Sequence, residues 1–513
     1  MCLAVTSLPP AQRSQLALTD ERVSYSWDEI NPVLNRAINA LLDMSLPTPR
    51  VAVFANNSAE AVMAYIACFH AGVSSIPVSY HLTASELAYI LENSGACAVF
   101  VGPETAEVGL AAAKQAGVET VIGWRCDAQP VTDWQAWLNA ASDAEPPTDM
   151  ASLPQLHYTS GTTGKPKGTE TPPSMFPAAG NIEDMIQKMR ERIALMPQGP
   201  GLVVGPLYHT GPMTTVRGFL GGLGIVVLSS FDGEAVLKAI EDYKIANCVM
   251  VPTHFQRLLA LPEAVRQRYD VSSMKRLAHT GAACPREVKQ AMIDWFGPVL
   301  TEGYGGTESG SVVGISSDDW LRKPGSVGQA LPPFEVVIVS EDGKPLEANE
   351  VGQIYIRDTT GRGIIYYNDP EKTAAAHIEP GVFTLGEMGY VDEDGFLFIT
   401  DRVSDMIVSG GVNIYPAEAE HVLLTHDEVV DVAIIGVPNA DMGEEAKALV
   451  IPADLAKPPS AEALNAHCRA HLAGFKCPRS YEFVDDIGRN IMGKVNKRAL
   501  RKKYWQGERT IGG

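Results

Sequence analysis

The alternation of apolar runs with helix-like segments in the first half of the chain constrains the fold most strongly. Val51–Phe54 precedes a helical pattern from Ser58 to Ala71, and Ser75–Val78 precedes one from Ser85 to Asn93. Strands that alternate with helices in this way form βαβ units with parallel strands. The same rhythm returns over residues 202–251. The sequence therefore predicts an α/β fold with mostly parallel sheets.

The pattern changes in the second half of the chain. Short strands with polar turns run from Val336 to Ile356, and Asp392–Gly395 is a hairpin signal between two apolar runs. We expect a small antiparallel β module there. After Asp401 the pattern begins again, with predicted strands at Val432–Ile435 and Ala448–Ile451 that we expect helices to separate.

The chain has 513 residues, which is more than a single compact hydrophobic core normally contains. We expect a large N-terminal domain over residues 1–403, which contains the parallel-type α/β sheets and the antiparallel module. A small, mobile α+β domain would follow over residues 404–513, with the boundary near Val403–Ser404.

Composition excludes several classes of protein. The formal net charge of −20 argues against a nucleic-acid surface. The eight cysteines are scattered without a C-x-x-C pair, which fits reduced thiols in the cytoplasm. No secretory signal and no apolar stretch long enough to span a membrane is visible, so we expect a cytoplasmic protein.

A polar loop at Tyr158–Thr169 is the clearest candidate for a binding site. Its glycines let backbone N–H groups approach an anion, and its hydroxyls and lysines add donors and positive charge. It is not a Walker A loop, because Pro166 follows Lys165. A flexible linker is the alternative, although interleaved lysines are less typical of linkers. The candidate phosphate ligands are Thr159, Ser160, Gly161, Thr162, Thr163, Gly164, Lys165 and Lys167.

A second unusual segment is Thr301–Ser309. Glycines bracket Tyr304, which could serve as a stacking surface, and Thr307 and Glu308 offer oxygen ligands suited to Mg²⁺. We interpret this segment as functional.

Other segments have an ordinary structural explanation when each is taken alone. His209 lies on a Gly/Pro turn and could line a pocket or only shape the turn. The small residues of Thr280–Pro285 could admit a flat ring or serve tight strand–helix packing. Glu387 and Arg402 flank a hairpin and could hold ribose hydroxyls or form a surface ion pair.

Lys494 precedes a basic helical segment at Asn496–Lys503, where lysines are usually solvated. Taken alone, this residue carries little information.

In their order and spacing these segments resemble the adenylate-forming superfamily, which includes acyl-CoA synthetases, nonribosomal-peptide adenylation domains and firefly luciferase. The resemblance covers essentially the whole chain. Its most specific parts are Tyr158–Gly168, Tyr304–Glu308, Asp401–Glu418 and Lys494. Within the acyl-CoA synthetase branch, the local sequence is most similar to bacterial ligases for bile acids, steroids, terpenoids and fatty acids.

The resemblance implies two half-reactions with ATP, Mg²⁺ and coenzyme A. A carboxylate attacks the α-phosphate of ATP and gives an acyl-adenylate and pyrophosphate. The thiol of CoA then attacks the acyl carbon and expels AMP. The small domain is expected to rotate between the two steps about a hinge at Ser404.

The resemblance also implies a role for each candidate residue. The loop residues named above would hold the β- and γ-phosphates. Glu308 would bind Mg²⁺, Thr307 would lie near the α-phosphate, and Lys494 would bridge the carboxylate and the α-phosphate. The adenine would lie against Gly281, Ala282, Ala283, Glu302, Gly303 and Tyr304. The ribose would be held by Glu387 and Arg402.

The acyl and CoA sites follow from the same resemblance. His209 would gate the acyl pocket between the half-reactions. The remaining candidates are Thr210, Gly211, Cys284 and Gly305 for the acyl pocket, and Ser409, Gly410 and Gly411 for the pantetheine tunnel.

The chain departs from the family pattern at the ribose site, where Leu385-Gly-Glu387 replaces the usual Thr-Gly-Asp. An added methylene displaces the carboxylate, and a displacement of about 1 Å matters to catalysis. Two alternatives therefore stay open. The chain could run only adenylation and pass acyl-AMP to a partner enzyme or carrier thiol, or it could bind nucleotide without turnover.

The substrate prediction is less specific. His209 follows Tyr208 where amino-acid-activating members have an aspartate, so a plain carboxylic acid is preferred. Small residues in the predicted pocket leave room for a large alicyclic acid such as a terpenoid or steroid precursor. Fatty and aryl acids stay open, and a homodimer is a further expectation.

The two-state interpretation gives the first prediction. Lys494→Ala should block acyl-adenylate formation but spare thioester formation from supplied acyl-adenylate, because the ammonium acts only in the first step. Gly411→Leu should do the reverse, since a leucine side chain would obstruct a narrow tunnel lined by backbone. Both half-reactions are followed separately by mass spectrometry. An equal loss of both activities in both variants would contradict the interpretation.

Overall fold

The computed structural model describes residues 8–159, 166–340, 342–402, 405–409, 412–439, 442–472, 474–490 and 493–505. Within these ranges, no helix has both the length and the apolar character that a membrane crossing requires.

The first part of the chain forms a parallel sheet in the order β4-β3-β5-β6-β7, as the alternating pattern predicts. Local signals set its helices: the Ser58 side chain accepts a hydrogen bond from the N–H of Ala61 and caps α3, and Gly95 ends α4 at φ 69°. The elements are α1 (Pro10–Arg13), β1 (Leu16–Thr19), β2 (Ser24–Ser26), α2 (Trp27–Asp43), β3 (Arg50–Phe54), α3 (Ala59–His70), β4 (Ser74–Pro77), α4 (Ala84–Ser94), β5 (Ala98–Val101), α5 (Ala106–Ala116), β6 (Thr120–Gly123), β7 (Thr132–Asp133) and α6 (Trp134–Asn139).

The middle of the chain forms a larger, mixed sheet in the order β16-β15-β14-β13-β12-β10-β11-β1-β2, and a separate hairpin β8-β9. Strands β10 to β14 and β1 pair in parallel, so their carboxyl ends meet at one edge. The elements are β8 (Leu156–Thr159), β9 (Lys167–Glu170), α7 (Ile182–Ala194), β10 (Gly201–Val203), α8 (Thr210–Phe219), β11 (Ile225–Val227), α9 (Gly233–Tyr243), β12 (Asn247–Met250), α10 (Pro252–Leu259), α11 (Glu263–Arg266), β13 (Arg276–Thr280), α12 (Arg286–Phe296), β14 (Leu300–Gly306), β15 (Gly310–Ser316), α13 (Ser317–Arg322) and β16 (Gln329–Ala330).

The predicted antiparallel module follows. Its strands run in the order β19-β20-β18-β21-β22, with β17 against β18. The elements are β17 (Phe334–Val339), β18 (Gly352–Asp358), α14 (Pro370–Ala375), β19 (His377–Glu379), β20 (Val382–Phe383), β21 (Glu387–Val391) and β22 (Leu397–Arg402).

The last part of the chain forms a small α+β domain with its own buried core. Its sheet order is β24-β23-β26-β25, with β27 parallel to β26. The elements are β23 (Ile407–Ser409), β24 (Val412–Ile414), α15 (Pro416–Leu423), β25 (Val429–Asn439), β26 (Gly443–Pro452), α16 (Ala461–His471), β27 (Ser480–Phe483) and α17 (Lys497–Arg501). The domain boundary near 403–404 stays a prediction, because Ser404 lies outside the described residues.

One expectation for this domain was wrong. The strands at Val432–Ile435 and Ala448–Ile451 are not separated by helices, because they belong to the long antiparallel pair β25 and β26. Residues 444–447 have the helix-forming composition Glu-Glu-Ala-Lys. Their side chains alternate in burial, so packing across the sheet overrides the local helix propensity.

Gly328 joins the large sheet to the antiparallel module and gives the second prediction. It has φ +108°, its carbonyl accepts from the N–H of Leu397 at 2.7 Å, and an added Cβ would overlap the carbonyl oxygen of Gly314. Gly328→Ala should therefore lower the Tm by several degrees, because the alanine would be strained at this positive φ and its Cβ would clash with the backbone of Gly314. The matched control is Gly343→Ala, at φ +81° with nothing within 4 Å, which adds strain alone. Equal Tm shifts in calorimetry would contradict the clash.

Candidate active site

A cavity of about 1550 Å³ lies where the carboxyl ends of the large sheet, the β8 end and the small domain meet. Strand ends and loops of the large domain form most of its wall, and Arg489, Asn490 and Lys494 contribute from the small domain. Predicted site residues from distant parts of the chain thus come together. Those that line the cavity are Thr159, His209, Thr210, Gly211, Gly281, Glu302, Gly303, Gly305, Thr307 and Lys494.

Other predicted residues do not line the cavity or lie outside the described residues. Ser409 is buried in the small domain's sheet, opposite Gly443. The described residues that lie outside the cavity wall are Lys167, Ala282, Ala283, Cys284, Tyr304, Glu308, Glu387 and Ser409. For Arg402 only the backbone is described, and the residues outside the described ranges are Ser160, Gly161, Thr162, Thr163, Gly164, Lys165, Ser404, Gly410 and Gly411.

His209 lies directly before helix α8 and faces the small domain. Burial lowers the pKa of its imidazole to about 4, and the positive charge of Lys494 adds to this shift. Its Nε2 has no hydrogen-bond partner among the described residues. At neutral pH the ring is therefore uncharged, and it can accept or donate one hydrogen bond to a ligand.

Gly493, which precedes Lys494, packs closely against Thr253 of the large domain. The backbone N–H of Asn490 donates a hydrogen bond to the carbonyl of Lys494 at 3.0 Å, and the Asn490 Oδ1 accepts one from the Lys494 N–H at 2.9 Å. Gly493 has φ +75°, and a Cβ there would lie 2.5 Å from Cγ2 of Thr253. A glycine is therefore required for this loop to bring Lys494 to the cavity.

A cluster of charges lies at the described ends of the phosphate loop. The Nζ of Lys167 lies 5.5 Å from the ring centre of Tyr366, and the Nζ of Lys372 lies 5.9 Å from it. Burial and the neighbouring Lys372 lower the pKa of Lys167 to about 8, while Glu308 opposes the shift. Burial and the charge of Glu308 raise the pKa of Tyr366. Two cations and the carboxylates of Glu308 and Asp369 thus lie near Tyr366.

This cluster fits a magnesium–triphosphate group. Mg²⁺ is usually held by one or two carboxylates together with substrate phosphates and water, rather than by a cage of protein ligands. Among the described residues no group of three or more His, Cys, Asp or Glu could hold a metal ion. The carboxylate of Glu308, with that of Asp369 nearby, is compatible with such a donor set, and the lysines would compensate the charge of the phosphates.

The predicted ribose acid has a partner that the sequence did not indicate. The hydroxyl of Tyr304 donates to the Glu387 Oε2 at 2.8 Å, and Glu387 is 9% exposed. Glu387 and Arg402 are directly opposite in the β21–β22 pair, as expected for two residues that flank one hairpin. The departure from aspartate is thus accommodated by a bond to the residue predicted to stack on the adenine.

Glu302 is also paired. The Nζ of Lys289 on α12 lies 2.6 Å from its Oε2, and His279 lies 3.6 Å from the same atom. Lys289 is 1% exposed and occupies the apolar stripe of α12 together with Met292. A lysine in an apolar stripe indicates a buried acid partner. Sequence reasoning missed this signal.

Helix α8 contains a second residue that sequence reasoning missed. Arg217 is 2% exposed and lines the cavity within the buried stripe of α8. Arg192 on α7 and His157 on β8 line the cavity as well. The signal again was a charged residue at an apolar position of an amphipathic helix.

Comparison with known proteins identifies the family. The model of the AMP-binding enzyme family matches residues 10–363, and that of the AMP-binding enzyme C-terminal domain matches residues 418–494. The chain therefore belongs to the AMP-binding enzyme family. The adenylate-forming resemblance and the α/β fold class predicted from the sequence are confirmed.

Individual relatives match over almost the full length. Feruloyl-CoA synthase of Amycolatopsis sp is 33% identical over 491 residues, which cover 94% of each chain. The long-chain-fatty-acid–CoA ligase FadD13 of Mycobacterium tuberculosis is 32% identical over 508 residues, or 95% of this chain and 94% of the relative. The structure of ATP-bound MatB from Rhodopseudomonas palustris has a TM-score of 0.82 at 27% identity and covers 98% of this chain and 97% of MatB.

These relatives confirm the enzyme class predicted from the sequence, an AMP-forming acid–CoA ligase that uses ATP, Mg²⁺ and CoA.

The lysine pair gives the third prediction. ATP binding should weaken as the pH rises through about 8, because free Lys167 then loses the proton that an anionic ligand requires. Lys372→Met should move this midpoint to higher pH, since a like charge near Lys167 is removed. The dissociation constant of ATP is measured by calorimetry from pH 7 to 10. A midpoint that Lys372→Met leaves unchanged would show that the two lysines do not interact.

Proposed function

We propose that this chain activates a bulky carboxylic acid with ATP and transfers the acyl group to CoA. The observation that carries the proposal is the convergence of Thr159, His209, Thr307 and Lys494 on one cavity, although they lie on four separate segments. This arrangement suits a reaction between a carboxylate and a phosphate ester, because it brings positive charge and hydroxyl donors to one place.

Adenylation requires that two anions approach each other. Lys494 carries a positive charge to the cavity and would bridge the acid and the α-phosphate as the negative charge is redistributed. Thr307 would donate to the α-phosphate, and Thr159 and Lys167 would hold the leaving pyrophosphate. The Mg²⁺ bound by Glu308 would neutralise part of the phosphate charge. The uncharged His209 leaves the carboxylate nucleophilic, since it does not compete as a cation for its negative charge.

Thioester formation would use a different position of the small domain. Ser409 lies in the small domain's sheet, outside the cavity wall, while Lys494 lines the cavity. The described arrangement therefore supports the adenylation state of the proposed two-state cycle. Rotation about Ser404 would withdraw Lys494 and bring Ser409, Gly410 and Gly411 to a pantetheine tunnel.

The nature of the acid is a finer part of the proposal. The cavity of about 1550 Å³ exceeds the common range of ligand pockets, roughly 300–1,000 Å³, and has room for an acyl group beside the nucleotide. This supports a large acid, alicyclic and terpenoid- or steroid-like, or a fatty acid. The related feruloyl-CoA synthase keeps aryl acids in the test.

The experiment is a pyrophosphate-release assay over fatty, aryl, bile and diterpenoid acids, with and without CoA, with products identified by mass spectrometry. Acyl-CoA formed with large acids supports the proposal in full. Acyl-AMP that accumulates in the presence of CoA would instead support an adenylating enzyme that passes its product to a partner. ATP binding without pyrophosphate release would contradict catalysis.

The ribose site gives the fourth prediction. Glu387→Gln should raise the KM for ATP by roughly 10- to 100-fold, because a charged acceptor for the ribose hydroxyls becomes neutral. Tyr304→Phe should raise it less, since it removes one bond to Glu387 and keeps the ring. The measurement is ATP–pyrophosphate exchange at varied ATP. The matched control, Glu379→Gln on β19, should change nothing, and a normal KM in Glu387→Gln would remove this residue from the ribose site.

A further inference from the structure

A buried arginine ties helix α8 to the hairpin β8–β9. The Arg217 guanidinium donates to the Gln155 Oε1 at 3.0 Å and to the carbonyl of Thr210, the first residue of α8, at 3.2 Å. A longer contact of 3.4 Å joins it to the Thr214 Oγ1. One side chain thus bonds the beginning of α8 and the segment that leads into β8. We refer to Arg217, Gln155 and Thr210 together as the α8–β8 link.

The two ends of this link belong to the two predicted substrate sites. Thr210 directly follows His209, and both line the cavity at the predicted acyl pocket. Gln155 directly precedes β8, whose last residue, Thr159, leads into the predicted phosphate loop. The Gln155 carbonyl also accepts from the N–H of Thr171 at 2.8 Å, across the base of the hairpin. The α8–β8 link therefore runs from the base of the phosphate hairpin to the turn that carries the acyl-pocket histidine.

The α8–β8 link lies in the protein interior. Arg217 is 2% exposed and Gln155 is 0% exposed. The Gln155 Nε2 donates to the Ser75 Oγ on β4 at 3.1 Å, so both ends of the amide are held. Loss of one partner would leave a buried polar group unsatisfied, which is costly in a region without water. The network thus holds α8, β8 and β4 in one arrangement.

The residue type is informative, because a buried cation is costly. Burial, followed by the charge of Arg192, lowers the pKa of Arg217 to about 9, so the side chain is charged at neutral pH. Its three acceptors are uncharged, and an apolar side chain of similar volume would fill the space at less cost in stability. A guanidinium offers several donors in a rigid fork and can bond two elements at once, whereas a lysine ammonium is a point charge on a flexible stem. The arginine therefore fits a role in geometry better than a role in stability.

From these contacts we propose that Arg217 is a positioning residue for adenylation. By bonding both Gln155 and Thr210, it fixes the turn before α8 relative to the hairpin that carries the phosphate loop. The acid and ATP are thereby held at the distance that attack on the α-phosphate requires, where a displacement of about 1 Å can lower the rate by about 100-fold. The proposal rests on the proposed function and goes beyond it, since Arg217 acts through the turn of His209 and not by binding a substrate.

Positioning can be distinguished from a general loss of stability. Adenylation joins two separate molecules and depends on their relative placement. Supplied acyl-adenylate already contains both parts in one molecule, so thioester formation from it should not require the α8–β8 link. Loss of the link should therefore lower adenylation far more than thioester formation, and it should lower kcat more than it raises either KM.

The test measures ATP–pyrophosphate exchange with the most active acid of the pyrophosphate-release panel, and thioester formation from the corresponding acyl-adenylate. Arg217→Met should lower the kcat of exchange by roughly 10- to 100-fold, with each KM and the thioester rate changed by about threefold at most. Arg217→Lys should lose less, because it keeps a charged donor. The matched control is Asn35→Leu on α2, where the buried Asn35 donates to the Asp143 carbonyl at 3.0 Å. This control should lower the Tm and leave the kcat unchanged.

Gln155 provides a second test of the same bond. Gln155→Leu should lower the kcat of exchange to a similar degree as Arg217→Met, and the double variant should be no slower than either single variant, because both remove one interaction. Gln155→Glu keeps an acceptor for the guanidinium and should stay close to the wild type. Additive losses in the double variant would overturn the proposal. A raised KM for the acid at unchanged kcat would also overturn it, because Arg217 would then be a substrate-binding residue.

Hydrogen exchange of backbone amides separates failure of the proposal from failure of the proposed function, because it requires no turnover. ATP with Mg²⁺ should protect the hairpin β8–β9 and, through the α8–β8 link, residues 209–213. In Arg217→Met the hairpin should stay protected and residues 209–213 should not. This pattern without pyrophosphate release from any acid would support the link and contradict the ligase. Protection of both segments in Arg217→Met, or an equal loss of both half-reactions, would overturn the proposal and leave the ligase intact.

Discussion

The binding region depends on positively charged side chains that the fold places close to one another or to a buried histidine. Lys167 and Lys372 approach the same tyrosine ring, Arg217 lies near Arg192, and Lys494 lies near a histidine that burial keeps neutral. The proximity of like charges within the lysine pair and the arginine pair is unfavourable in the protein alone, since it lowers the pKa of Lys167 and of Arg217. Anionic ligands supply the missing charge, so ligand binding and folding stability are coupled in this enzyme.

Backbone geometry keeps these charges in place and explains why glycines are concentrated at the cavity. A Cβ at Gly305 would overlap the carbonyl of Gly310, so β14 and β15 can approach each other only without a side chain there. Thr280 fixes the same region by donating to the Gly303 carbonyl at 2.7 Å. A flat surface formed in this way suits a planar ring, and it lies at the ends of the parallel strands that it continues.

Much of the fold and part of the site could be predicted from the sequence. Each success and each failure has its own physical reason. The βαβ pattern from Val51 to Val101 is local and periodic. The types of its elements were therefore predicted correctly, and their bounds to within a residue or two. The hairpin β25–β26 was missed, because packing across the sheet overrides the local helix propensity of residues 444–447. The motif residues at the cavity were found because they lie in unusual strings. Arg217 and Lys289 were not, since a charged residue in an apolar stripe acquires meaning only when its neighbours are known.

The bond between Tyr304 and Glu387 shows how a departure from a family pattern can be absorbed. The usual aspartate is shorter by one methylene, and a glutamate in the same place would be free to adopt several rotamers. The Tyr304 hydroxyl donates to one carboxylate oxygen of Glu387 at 2.8 Å and so restricts the rotamers of that side chain. Because Tyr304 is also the expected adenine surface, a nucleotide that stacks on the ring would help to orient the acid that binds its ribose. The longer acid is thereby compatible with adenylation, since its extra freedom is removed by the same residue that the nucleotide contacts.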